Sequence, residues 1–184
     1  MFYLKTRKTT NFPIKIEVEY MNQTLNKIKT EVYEKCNLKI SNLEIELESK
    51  EYHACKFKLN TWNILSRKAK ITPTKAGQFV TCWRRNKDGI TEPFDDTDPI
   101  DFYTINVQHE NLLGQFVFPR SVLIKHGIMS TEKKDGKRGF RVYPAWDKAE
   151  NKQAEKTQKW QLNYFYDIGK STDFKKVLAL YHGL

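Results

Sequence analysis

No run of apolar residues in this chain approaches the ~20 needed to cross a bilayer as a helix. The N-terminus lacks the short apolar block of a secretory signal. Membrane insertion and export are therefore not expected. Cysteine is scarce: Cys36, Cys55 and Cys82 are the three present. An odd number at spacings that match no zinc pattern makes a poor disulfide framework. They read as buried apolar thiols in a reducing, cytoplasmic setting. Histidine is as sparse. His53, His109, His126 and His182 lie scattered without metal-ligand spacing. Walker loop, dinucleotide fingerprint and nucleophile elbow are all missing. Nothing in the sequence announces an enzyme, and no cofactor or metal is expected.

What the chain does have is positive charge and aromatic residues. The net charge of its 184 residues is +10, and 13% of them are aromatic. An apolar share of 39% supplies a core for one domain and argues against global disorder. A cationic surplus of this size points to a polyanion partner, DNA or RNA first. Charge does not distinguish the two, nor does it set the oligomeric state.

Residues 1–20 differ from the rest. Lys5, Arg7, Lys8 and Lys15 alternate there with Thr, Asn and Pro13, as in a basic N-terminal extension, poorly ordered or derived from an upstream start. Residues 21–184 read as a single domain. Leu25, Ile28, Val32, Cys36 and Leu38 recur at helical spacing. Leu43, Ile45 and Leu47 then alternate with glutamates as in a half-buried strand. Cys55, Phe57 and Leu59 alternate again, and Asn60-Thr61 turns the chain into the next strand.

The stretch from Arg67 to Arg85 reads as strand, turn, strand. Pro73 stops the first strand, Lys75-Ala76-Gly77 supplies the turn, and residues 78–84 run back. An antiparallel meander is expected, with Arg67 and Lys68 near Arg84 and Arg85. Asn86-Lys87-Asp88-Gly89 is a turn signal, and the acidic loop with Asp95, Asp96, Asp98 and Asp101 suits turn and cap roles. Residues 102–107, 114–119 and 140–143 read as strands. A short helix is expected over 121–127 with Ser121 as N-cap, a longer one over 151–168, and a last one capped by Thr172. The fold class is α+β: a curved, mostly antiparallel sheet with helices on one face and at its ends. Gly77-Gln78-Phe79-Val80 recurs as Gly114-Gln115-Phe116-Val117, which reads as two similar buried strands entered through glycine rather than as a repeat.

Three candidate sites follow. A cationic face for nucleic acid would gather Arg67, Lys68, Lys70, Lys75, Arg84, Arg85, Arg120, Lys137, Arg138 and Arg141. Lysine and arginine on phosphates release counterions, so such binding is salt-sensitive. A pocket would draw on Trp146, Gln158, Trp160 and Gln161; amides beside an apolar helix stripe either bond backbone or read a ligand. A metal-dependent phosphodiesterase would need Glu46, Glu48 and Lys50, since two-metal cleavage requires clustered carboxylates. The non-enzymatic nucleic-acid-binding reading leads, with the phosphodiesterase and a small-ligand or protein-interaction module as alternatives.

Four segments carry a family resemblance. They are the Ala69-Lys-Ile-Thr-Pro-Thr-Lys-Ala-Gly-Gln-Phe-Val-Thr-Cys-Trp-Arg-Arg stretch, Gly114-Gln-Phe-Val-Phe-Pro-Arg-Ser-Val-Leu, Lys137-Arg-Gly-Phe-Arg-Val-Tyr-Pro-Ala-Trp-Asp, and Asn151-Lys-Gln-Ala with Thr157-Gln-Lys-Trp-Gln. In this order they resemble the MepB family over residues 25–165. The resemblance implies a small soluble bacterial protein. It assigns no activity and no catalytic residues.

Overall fold

The computed structural model describes residues 23–46 and 48–182. The extension over residues 1–20 and Leu47 lie outside them. Helix α1 (Gln23–Ile28) runs on through a π-helical turn (Lys29–Tyr33) and a 3-10 turn (Glu34–Cys36). Asn37, left-handed at φ 54°, ends it, a conformation asparagine tolerates better than most residues. The three strands that follow, β1 (Ile40–Ile45), β2 (Cys55–Leu59) and β3 (Trp62–Lys68), pair antiparallel in sequence. On β2 the alternation is strict: Cys55, Phe57 and Leu59 are buried, while Lys58 is exposed and Lys56 half-buried.

The meander then breaks. β3 pairs in parallel with β8 (Phe102–His109), from Ile64 opposite Phe102 to Lys68 opposite Asn106. The connection from Ala69 to Asp101 builds a second layer with β4 (Lys70–Thr72), β5 (Lys75–Thr81), β6 (Trp83–Arg85) and β7 (Thr91–Pro93). The hairpin turn falls at Pro73-Thr74, earlier than the sequence suggests. Lys75 and Ala76 already belong to β5, which pairs Thr72 with Lys75. Gly77 is left-handed at φ 75°, and a Cβ there would meet the Tyr143 ring at 2.6 Å. Its role is thus close approach inside a strand rather than turning.

β8 continues into β9 (Leu112–Pro119), and β11 (Phe165–Asp167) adds to the far side of β9. The main sheet therefore has six strands in the order β1-β2-β3-β8-β9-β11. A smaller sheet runs β10-β5-β4, with β10 (Gly139–Val142), and β6 pairs with β7 alone. Among the described residues parallel pairing is confined to β3–β8 and one isolated bridge, so the α+β class with a mostly antiparallel sheet stands.

Residues 151–168 are not one helix. α3 (Lys152–Gln161) ends seven residues short and a 3-10 turn (Leu162–Tyr164) leads into β11. Phe165 and Tyr166 keep a helical stripe going on paper. The open edge of β9 pairs with them instead, and buries both faces of the strand. Helix α2 (Arg120–Lys125) starts without a side-chain cap, so Ser121 is not its N-cap. The Asp101 carbonyl accepts from Arg120 N–H at 3.0 Å and does that work. Helix α4 (Phe174–His182) is capped by Asp173, whose Oδ1 accepts from Lys176 N–H at 3.0 Å. Thr172, expected there, bonds to Gly169.

Two apolar clusters lie on opposite faces of the main sheet. One joins Leu25, Ile28, Val32 and Tyr33 to Phe57, Ile64, Phe102, Val117, Val177 and Tyr181. The other joins Leu65, Tyr103, Ile105, Phe116 and Phe118 to Val80, Phe94, Leu123 and Phe140. The echoed tetrapeptides sit in β5 and β9, and both glutamines are fully buried. A Cβ at Gly114 would meet Phe165 at 2.5 Å, so in both strands glycine makes room for a ring.

Gln115 is a polar hub in the first cluster. Its Oε1 accepts from Tyr33 at 2.9 Å, Tyr166 at 2.5 Å and Tyr181 at 3.3 Å, and its Nε2 donates to Asn106 Oδ1 at 2.7 Å. One amide thus ties the π-helical turn after α1, β8, β9, β11 and α4 together. Burial pushes the Tyr33 phenol up to about 12 and raises those of Tyr103, Tyr166 and Tyr181 well above 10.0. Raised folded-state values mean that stability is whole below the unfolded pKa and falls as pH rises above it. The urea midpoint is therefore expected to drop above about pH 10. An absorbance titration should show these four of the nine tyrosines ionising only on unfolding. Nine phenols titrating together in the folded protein would contradict the arrangement.

Candidate functional site

The cations of the Arg67–Arg85 stretch are largely committed to the protein itself. Arg67 is 2% exposed. Its Nη2 sits 2.9 Å from Glu46 Oε2 and donates to the Trp83 carbonyl at 3.3 Å. The contact with Glu46 is an ion pair without hydrogen-bond geometry, and Arg67 Nε and Nη1 are buried without an acceptor. Arg84 spans three carboxylates: Glu92 at 3.1 Å, Asp95 at 2.7 Å, and Asp98. Arg85 bonds Glu48 at 2.5 Å, Lys70 bonds Glu51 at 2.6 Å, and Lys68 bonds Gln108 at 2.9 Å. The acidic loop also caps its own turns: Asp95 Oδ1 accepts from Thr97 N–H and Oγ1, and Asp98 Oδ2 accepts from Asp95 N–H. The Thr97 hydroxyl leads in holding the Asp95 carboxyl below its ordinary range, while burial pushes that of Asp98 up.

Glu46, Glu48 and Lys50 do not converge. Glu46 faces Lys56 at 3.0 Å as well as Arg67, Glu48 is taken by Arg85, and Lys50 starts a 3-10 turn. Among the described residues no group of three or more His, Cys, Asp or Glu is placed to hold a metal ion.

The second half of the chain is different. Between Arg120 and Trp160 eleven lysines and arginines face five carboxylates, a net of +6 out of the chain's +10. Among the described residues every ion pair lies N-terminal to this segment, the last partner being Asp98. Lys133, Lys134, Lys137 and Arg138 are exposed. Arg138 Nε donates to the Thr91 carbonyl at 3.1 Å. Arg120 reaches only the carbonyls of Asp96 and Asp98, at 3.5 Å. Arg141 donates to Thr72 Oγ1 at 2.7 Å and to the carbonyls of Lys75, Ala76 and Gly77, so its position is fixed while its charge stays unneutralised.

A cavity of about 420 Å³ opens in this cationic region, between β10 and the first turns of α3. Lys137 and Arg141 line it from the β10 side; Asn151, Gln153 and Thr157 line it from α3. None of its lining residues is acidic. His126 and Trp160 stack in its wall, ring centroids 3.7 Å apart and planes within 9°. Trp160 also packs on Phe118 and Tyr164. Burial, then the charges of Lys125 and Lys137, lower the His126 pKa, so the imidazole is neutral at pH 7. His126 is one of four histidines that spacing alone leaves without a role. Its partner is 34 positions away, and no sequence signal joins them.

The other expected pocket residues are structural. Gln161 is fully buried; its Oε1 accepts from Tyr143 N–H and its Nε2 donates to the Arg141 carbonyl, both at 2.9 Å. It pairs with the outer edge of β10 as a neighbouring strand would. Gln158 donates to the carbonyls of Pro144 and Asp147. Trp146 lines a separate cavity near Gly77 and Asp147, its indole N–H buried without a partner. Of that group only Trp160, with Gln161 behind it, borders the larger cavity.

A family profile described as MepB-like matches residues 46–167, about two thirds of the chain. The chain belongs to the MepB-like family. A solved structure titled "Crystal Structure of MepB" is similar to it, at 36% identity and TM-score 0.69, over 87% of this chain and 99% of that one. A bacterial homing endonuclease, I-Ssp6803I, is similar at 12% identity and TM-score 0.40, over 82% and 93% of the two chains. A comparison with functionally curated proteins found no match. The matched MepB-like region holds both charged zones and the whole of β10 and α3. Among the described residues no helix is long and apolar enough to cross a membrane.

The contrast between the two zones has a stability consequence. Glu46→Gln would leave the Arg67 guanidinium buried beside a neutral amide, at a cost of about 3 kcal/mol. Lys70→Ala and Arg85→Ala remove exposed pairs, each worth less than about 1 kcal/mol. Urea denaturation of the three variants checks this ranking. Glu46→Gln unfolding with the wild-type midpoint would contradict the buried pair.

Proposed function

We propose that this MepB-like protein is a non-enzymatic nucleic-acid-binding domain whose anion-binding surface is the cationic region of its second half. The observation that carries this reading is the absence of any ion pair among the described residues between Arg120 and Trp160, where the chain concentrates its net charge. A cation already holding a carboxylate has little to gain from a phosphate. One facing only water gains the full contact and releases a counterion. Lys133, Lys134, Lys137 and Arg138, with Arg141 and Arg120 beside them, would meet phosphates. Lys75, exposed and without a side-chain partner, extends this surface from the β4–β5 hairpin.

Gel-shift titrations at several salt concentrations test the reading. Affinity should fall steeply with salt, with a slope of about one per phosphate neutralised. Changing Lys133, Lys134, Lys137 and Arg138 together to Glu should abolish retention. Lys70→Ala with Arg85→Ala, whose charges are already paired, should change affinity less than about threefold. Retention unaffected by the fourfold charge reversal would overturn the assignment.

A further inference from the structure

The geometry points to a single-stranded strand as the ligand, with one unpaired nucleotide seated in the cavity between β10 and α3. This rests on the nucleic-acid reading above and narrows it. A duplex offers phosphates but hides the faces of its bases; a single strand offers both. The cavity holds a partner for each. Its volume of about 420 Å³ lies within the range of small-ligand sites, large enough for a nucleotide.

The stacking partner is the His126–Trp160 pair. Trp160 is packed on one side by His126 and elsewhere by Phe118 and Tyr164. His126 stacks on Trp160 and on no other ring among the described residues, so its second face is left unstacked in a wall that Phe140 and Tyr143 also line. A base laid on it would extend an existing two-ring stack anchored in the core. The imidazole is neutral at pH 7, as a flat ring rather than a further cation, because burial and two lysines oppose its protonation.

The phosphate partners surround it. The Lys137 backbone N–H bonds the Ile128 carbonyl at 2.9 Å, but its side chain meets no acceptor or carboxylate among the described residues, and Arg141 is held by four oxygen acceptors while keeping its charge. The ten-residue helix α3 points its N-terminal turn at the same cavity through Asn151, Gln153 and Ala154. Asn151 Oδ1 caps the Ala154 N–H at 2.9 Å, and the dipole of the helix favours an anion at this end. Preorganised cations beside a stacking ring are what a backbone-and-base ligand requires, and the absence of acid from the lining removes the opposing repulsion.

Fluorescence anisotropy with a labelled oligothymidylate and with a blunt duplex of similar length, at one fixed salt concentration, tests this. The wild-type protein should bind the single strand about tenfold or more tightly than the duplex, a difference set by one stacked base. His126→Gln removes the ring at a partly exposed position and keeps polarity. It should lose that preference while duplex binding stays the same. Trp160→Leu should do likewise, provided circular dichroism shows it folded. Lys137→Ala should weaken both ligands together. Equal affinity for the two ligands, or an unchanged preference in His126→Gln, would overturn the nucleotide pocket and leave the cationic surface standing. Binding to neither ligand would overturn both.

Discussion

The parallel pairing of β3 with β8 is the constraint on which the rest of the structure depends. Parallel neighbours cannot be joined by a tight turn; the chain must cross a face of the sheet and return. Here the crossing segment carries β4 to β7 and the acidic loop, and its Ala69, Val80, Cys82, Phe94 and Ile100 pack on Leu65, Tyr103 and Ile105. Arg67 shares the face of Leu65. Once the crossover covers that face, a residue at the end of an otherwise ordinary strand becomes one of the largest fully buried side chains. Burial then demands compensation, and Glu46 and the Trp83 carbonyl supply part of it. The same covering brings Arg84 against Glu92, Asp95 and Asp98 from its own crossover.

The charge of the protein is thereby divided. In the first zone four of the six cations, Arg67, Lys70, Arg84 and Arg85, are paired with carboxylates, and these ion pairs hold the crossover to the sheet. The second zone, Arg120 to Trp160, has its cations on loops and on the outer face of α3, where among the described residues none forms an ion pair. Arg141 shows how position and charge separate: carbonyls and a threonine hydroxyl fix the guanidinium, but dipoles do not cancel its charge. Gln161 ties α3 to the β10 edge through the Tyr143 N–H and the Arg141 carbonyl, beside the His126–Trp160 stack.

Much of the scaffold is legible in the sequence because strand alternation and turn chemistry are local. Cys55, Phe57 and Leu59 fall on one buried face, Asn60-Thr61 turns, and β8 and β9 lie where the apolar runs put them. The misses come from partners distant in sequence. Phe165 and Tyr166 keep helical spacing, and only the vacant edge of β9 makes them a strand. Ser121 and Thr172 have the chemistry of helix caps, but the Asp101 carbonyl and the Asp173 carboxylate take those places. The candidate site follows the same rule. Lysines and arginines can be counted in a sequence, but whether each is spent on a carboxylate depends on the β1–β2 connection, the acidic loop and the crossover meeting in space. The stack of His126 on Trp160 joins a helix end to another helix through the tertiary fold alone.

The central claim is that anions are met by the unpaired charges of the second half, with Lys75 beside them, and not by the paired cations Arg67, Lys70, Arg84 and Arg85. Nuclear magnetic resonance mapping with a short oligonucleotide tests it most directly. The account predicts that amide shifts cluster at Lys137, Gly139, Phe140, Ala154 and Thr157, with the Trp160 indole N–H moving, while Lys68, Lys70, Arg84 and Arg85 stay in place. Shifts concentrated on Lys68, Lys70, Arg84 and Arg85, with the β10–α3 cavity silent, would contradict it.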